Sequence, residues 1–132
     1  MSPRRSVRLL PALLLVFLVA ACSGGAGQAQ RVVVRIKQTP NQILYEPPSV
    51  TVRPGTTVVW QNDSDWPATV TCNPDGFADA ALVSLPDGAQ AWSSGVIYPG
   101  QTWSYQFTRA GVYLYASRLA ESPATVGTVE VK

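Results

Sequence analysis

Histidine is absent from the 132-residue sequence, and methionine and cysteine nearly so: Met1 is the only methionine, and Cys22 and Cys72 are the only cysteines. Metal sites built from imidazole and thiolate therefore lack their donors in any register. Serine or cysteine triads lack their base. Lysine is equally scarce beyond the first stretch, with only Lys37 and Lys132, both on or beside strand patterns. Ser-Lys chemistry has no support from that placement, and Glu121 and the aspartates are not visibly paired with a nucleophile. The chain reads as a non-enzyme with no catalytic residue.

Charge is also sparse, at 14% of residues. The formal net charge of +2 misleads, because three of the ten basic side chains are Arg4, Arg5 and Arg8. The remainder carries seven basic against eight acidic side chains, with no basic run. That near-neutral balance argues against nucleic acid and against an acidic partner read by long-range attraction. Asp63 and Asp65 share one loop, and Asp75, Asp79 and Asp87 fall in another. Their spacing matches no calcium loop, so they read as solvated turn residues.

Only one long hydrophobic run exists, Leu9 to Ala21, and it is too short to span a bilayer. With Arg4, Arg5 and Arg8 before it and small residues after it, residues 1–21 read as a secretory signal peptide. The string Val19-Ala20-Ala21-Cys22 resembles a lipobox, where bacteria cleave and lipidate a cysteine. Cys22 is then the lipid attachment site, and more than one acyl chain on it would anchor the chain stably to a membrane. Residues 22–30 form the lipidated cysteine and a flexible tether, with a reach of roughly 16 Å from Ser23 to Gln30. The expected location is the bacterial cell envelope, exported and held at a membrane surface. Cys72 is left without a partner for a disulfide.

Residues 31–132 carry an all-β signal. Val32, Val34 and Ile36 alternate with Arg31, Val33, Arg35 and Lys37. Val50 and Val52 lead to the turn Pro54-Gly55, and Thr56 to Asn62 follow as a β-branched strand containing Trp60. Ala68, Val70 and Cys72 share one face of the next run, which makes Cys72 a small buried hydrophobe in preference to a reactive thiol. A long excursion from Asn73 to Ser94 holds the turns Pro74-Asp75-Gly76 and Pro86-Asp87-Gly88. Its middle, Phe77 to Leu85, fits a short helix and a loop equally well. After Pro99-Gly100, Trp103, Tyr105 and Phe107 face one way. Gly111 restarts a strand through Tyr113 and Tyr115, and Gly127 to Val131 close the chain. Short strands, Pro/Gly turns and no amphipathic helix of useful length indicate a β-sandwich.

Two stretches carry a family likeness. One is Pro48-Ser49-Val50-Thr51-Val52-Arg53-Pro54-Gly55-Thr56-Thr57-Val58-Val59-Trp60-Gln61-Asn62, continued by Asp65-Trp66-Pro67-Ala68-Thr69-Val70-Thr71. The other is Ser94-Gly95-Val96-Ile97-Tyr98-Pro99-Gly100-Gln101-Thr102-Trp103-Ser104-Tyr105-Gln106-Phe107, continued through Gly111-Val112-Tyr113-Leu114-Tyr115 to Val131. In order and spacing these resemble the plastocyanin-type blue-copper proteins, the cupredoxins. The resemblance implies a cupredoxin-like Greek-key β-sandwich of about 7–8 strands. It also implies four copper ligands, two histidines, a cysteine and a methionine. The matching positions here are Ala68, Ser117, Ala120 and Thr125, so the loop spacing is kept and every ligand is missing. No cofactor is expected.

The resemblance further implies that the ligand end of the sandwich is a partly apolar docking surface. Trp66, just before Ala68, suits such a surface, since tryptophan is favoured as an interface anchor; it equally suits a plug folded into the space of the missing ligands. Trp92, late in the excursion, is the second candidate surface residue, whereas Trp60 and Trp103 read as core. The resulting expectation is a metal-free cupredoxin-fold lipoprotein, a binding or accessory module with an envelope protein as partner. The alternatives are a copper electron-transfer protein, on fold likeness alone, and a small-molecule or glycan binder using Trp66 and Trp92.

Overall fold

The computed structural model describes residues 30–132. The signal peptide, Cys22 and nearly all of the tether lie outside the described residues. Nine strands make up the domain: β1 (Arg31–Gln38), β2 (Ile43–Glu46), β3 (Ser49–Val52), β4 (Thr56–Asn62), β5 (Thr71–Cys72), β6 (Trp92–Ser93), β7 (Thr102–Phe107), β8 (Gly111–Ala116) and β9 (Val126–Val131). They form two sheets, ordered β2-β1-β4-β7 and β3-β9-β8-β5-β6. The sheets are mixed: β1 runs parallel to β4 and β3 parallel to β9, and the other pairs are antiparallel. The all-β sandwich is as expected. The strand count exceeds 7–8 because β5 and β6 are only two residues each, too short to show alternation. Among the described residues no helix is long and apolar enough to cross a membrane.

The core forms where the alternating residues of both sheets meet. Val34 and Ile36 of β1, Val58 and Trp60 of β4, Phe107 of β7, Tyr113 and Tyr115 of β8, and Val129 and Val131 of β9 are all buried. Trp60 sits at the centre, with ring centroids 5.3 Å from Tyr115, 5.5 Å from Trp92 and 5.6 Å from Trp103. Such tilted and edge-on aromatic pairs add roughly 0.5–1.5 kcal/mol each beyond their area burial. Tyr115 lies opposite Gly127 in the β8–β9 register. A Cβ at Gly127 would fall 2.1 Å from Cζ of Tyr115, so only glycine lets that ring lie flat on β9.

Trp92 corrects an expectation. It is 5% exposed, not a surface residue. Its ring stacks on Trp103 and Tyr105 at 5.8 and 5.2 Å, closing the open side between the two sheets. Trp103, expected in the core, is half-buried at that edge. The undecided stretch Phe77 to Leu85 is mostly loop, with one 3-10 turn at Ala80–Leu82. Asp79 starts that turn by accepting a hydrogen bond from the Ala81 amide. Phe77, Leu82 and Val83 then pack with Ala116 in a small satellite core.

Candidate functional site

At one end of the sandwich three loops meet: residues 63–67 after β4, the turn before β7, and residues 117–125 between β8 and β9. Asn62, the last residue of β4, organises the first two from a fully buried position. Its Nδ2 donates to the carbonyls of Trp66 and Ile97, both at 2.8 Å. Its Oδ1 accepts from the amide and hydroxyl of Ser64 at 2.9 and 2.6 Å. Its main chain ties the turn as well, through Asn62 N to the Gln101 carbonyl and Gly100 N to its own carbonyl. A buried amide with both ends satisfied fixes backbone position strongly, because any alternative leaves polar groups unpaired.

The four positions singled out by the resemblance lie at this end. Ala68 is buried and exchanges main-chain hydrogen bonds with Ile97, at 3.1 and 2.7 Å. Ser117 is fully buried, and its Oγ accepts from the Thr69 amide at 3.1 Å, so the residue after Ala68 reaches the start of the 117–125 loop. In return the Arg118 amide donates to Oγ1 of Thr69 at 2.8 Å. Ala120 N donates to the Ser117 carbonyl at 3.3 Å. The Thr125 hydroxyl, also buried, shares its proton between the carbonyls of Ala120 and Ser122 at 2.6 and 2.8 Å. The side chains offered at these positions are two methyls and two hydroxyls, and both hydroxyls are engaged in holding the backbone.

Cys72, the one thiol among the described residues, is buried in the core. Its Sγ donates to the carbonyls of Ser84 and Leu114, at 3.3 and 3.2 Å. Burial pushes the thiol up to about 12, so it stays protonated and unreactive at neutral pH. Among the described residues no group of three or more acidic, cysteine or histidine side chains is arranged to hold a metal.

Most charges bordering the three loops are occupied by structure. Asp63 pairs with Arg35 at 2.7 Å and with Lys37 at 3.7 Å. The Arg35 hydrogen bond holds the Asp63 carboxyl below the usual carboxylate range. The Arg118 guanidinium turns away to the carbonyl of Asp75 and the ring of Phe77. Glu121 accepts from the Ala78 amide. Large apolar side chains are left outside. Trp66 is 37% exposed and joins none of the aromatic pairs among the described residues, while Tyr98 and Leu119 are 58% and 55% exposed. That exposure favours the docking reading of Trp66 over the plugging one. Asn62, Tyr98 and Leu119 were not singled out from sequence as site residues. Asn62 reads there as an ordinary strand end, and Tyr98 as the residue before a Pro-Gly turn.

Two sheets with this order, closed at one end by the three loops, define a cupredoxin sandwich. A family model described as copper binding proteins, plastocyanin/azurin family, matches residues 32–132. The chain belongs to that family, whose members are in general electron carriers and not enzymes. It is 29% identical to plastocyanin of Scenedesmus fuscus over 104 residues, covering 76% of this chain and 99% of the relative. Among solved structures, a purple cupredoxin from Nitrosopumilus maritimus matches with a TM-score of 0.59 at 23% identity, covering 76% of this chain and 99% of that one. The Cu(I) form of an amicyanin mutant matches with a TM-score of 0.55 at 30% identity, covering 77% and 82%.

Proposed function

We propose that this chain is a cupredoxin without a blue-copper site, serving as a binding or accessory module at the bacterial cell envelope. The observation that carries the reading is the chemistry at Ala68, Ser117, Ala120 and Thr125. A blue-copper ion needs imidazole and thiolate donors, and the sequence contains no histidine at all. The hydroxyls of Ser117 and Thr125 already serve the loop backbone. The donors present do not fit copper, so these residues give no support to electron transfer through such an ion. Attachment to the membrane through Cys22 is part of the same proposal, supported by the lipobox-like string and the Gly/Ser/Ala tether.

Contact with a partner is assigned to the loop end. Trp66, Tyr98 and Leu119 present apolar surface on three loops, the first two tied through Asn62 and the third bonded to Thr69 just after the first. Aromatic anchors on a rigid frame lose little side-chain entropy on binding, which favours them as interface hot spots. The partner is an envelope protein with a complementary apolar patch.

Photo-crosslinking in intact cells tests this. A photoreactive side chain placed at Trp66, Tyr98 or Leu119 should give one common protein adduct. The same group at Val33 or Val112, which are exposed on strands away from the three loops, should not. Equal adducts at all five positions, or none at the loop positions, would sink the proposal.

A further inference from the structure

At the opposite end of the sandwich, where Thr56 begins β4 beside Phe107, a cleft of about 210 Å³ opens between the 86–90 loop and the β7–β8 turn. Its walls include Gly88, Gln90, Tyr105, Gln106, Arg109 and Tyr113. Nothing in the copper-protein likeness assigns a role to it. We infer that this cleft binds a small hydroxylated carboxylate, of the size and chemistry of a single uronic acid ring.

Charge argues for an anion. Arg109 is the one charged residue among those lining the cleft. Among the described residues it forms no ion pair, even though Asp87 stands next to Gly88 in sequence. Its guanidinium lies against Gly88, where a Cβ would come within 2.8 Å of Nη2. Gly88 also has a φ of +73°, which disfavours any other residue. The glycine thus lets the guanidinium lie close along one wall. A planar fork of N–H donors suits a carboxylate, which it can engage through two parallel bonds.

The remaining walls argue for a ring with hydroxyls. Gln106 is fixed by donating from Nε2 to the Gly55 carbonyl at 3.1 Å, which leaves its Oε1 as an acceptor. Gln90 is exposed, and among the described residues no hydrogen bond commits its side-chain amide. Tyr105 supplies a half-buried aromatic ring, backed by Trp92 at 5.2 Å and Phe107 at 5.1 Å. Tyr113 does not compete for the ligand, because its hydroxyl donates to the Arg109 carbonyl at 2.8 Å and so holds the turn. Pockets for drug-sized ligands run from roughly 300 to 1,000 Å³. A volume of 210 Å³ falls below that and limits the ligand to one ring.

Nuclear magnetic resonance titration of the full chain, labelled with nitrogen-15, tests the assignment. The probes are glucuronate, glucose, inorganic phosphate and a glucuronate-terminated disaccharide. Glucuronate should shift the Arg109 side-chain signal and the amides of Gly88, Gln90 and Thr108, with glucose binding about tenfold more weakly for want of the charge-assisted pair. Arg109→Gln should remove that preference. Gln90→Ala, at an exposed position, should weaken glucuronate several-fold and keep the preference over glucose. Tighter binding of the disaccharide would make the natural ligand a glycan end, and equal binding the free acid. No shift with any probe, equal shifts with glucose, tighter binding of phosphate, or an undiminished preference in Arg109→Gln would overturn the inference.

Discussion

The aromatic centre and the loop end are held together by different physics. Around Trp60 the contacts are ring against ring, and the indole N–H groups of Trp60 and Trp92 have no hydrogen-bond partner among the described residues. Volume and apolar burial dominate there. At the loop end, Asn62, Ser64, Thr69, Ser117 and Thr125 pin the backbone through directed polar bonds. The consequence is separability. A core built on shape is set apart from the loops, and the loops carry ties of their own, from hydroxyls and one amide.

The largest effect should come from the centre. Trp60→Ala removes a fully buried ring and should cost roughly 3–5 kcal/mol, read as a shift in the urea unfolding midpoint. A small loss would mean that the core does not rest on that ring. Next comes the loop clamp. Asn62→Ala should cost about 1–3 kcal/mol, chiefly because the buried Ser64 amide loses its acceptor. The damage should be local, with faster hydrogen exchange at Ser64 and Gly100 and unchanged protection in β1 and β4. Global loss of protection would show that the two regions are not separable. The smallest effect belongs to Trp66→Ala. An exposed side chain away from such features changes stability within about 0.5 kcal/mol, so thermal unfolding should barely move while photo-crosslinking from Tyr98 and Leu119 weakens. A core-sized stability loss would return Trp66 to the plugging role.

The same contrast explains what could be read from the sequence. The centre was legible wherever one face of a strand is dry and the other wet: Trp103, Tyr105 and Phe107 alternate with Thr102, Ser104 and Gln106, and Phe107 is indeed buried. Alternation said nothing of Thr69 and Thr71, which are buried along with Ala68, Val70 and Cys72. Both faces of that segment are covered, and no period of two survives. Trp92 was misplaced for a related reason. It sits in the two-residue strand Trp92–Ser93, flanked by Gln90-Ala91 and Ser94-Gly95, which reads as loop, and its burial comes from rings on β7 and on the sequence-distant β4. The positions Ala68, Ser117, Ala120 and Thr125 came from family spacing. The hydroxyl and amide bonds that organise them did not, because Ser, Thr and Asn look alike in sequence whether they bond the backbone or face water.

The central claim is that the fold here stands without a blue-copper site, and metal loading of two versions of the protein tests it most directly. Purified wild-type chain and the quadruple variant Ala68→His, Ser117→Cys, Ala120→His, Thr125→Met should be incubated with Cu(II), dialysed, and measured for copper and visible absorption. Wild type should retain no copper and stay colourless. A folded variant should hold the ion and turn blue through copper–thiolate charge transfer, since the loops keep the spacing for four donors. A folded variant that stays colourless would contradict the placement of the four positions. Stoichiometric, tightly held copper in the wild-type protein would contradict the claim itself.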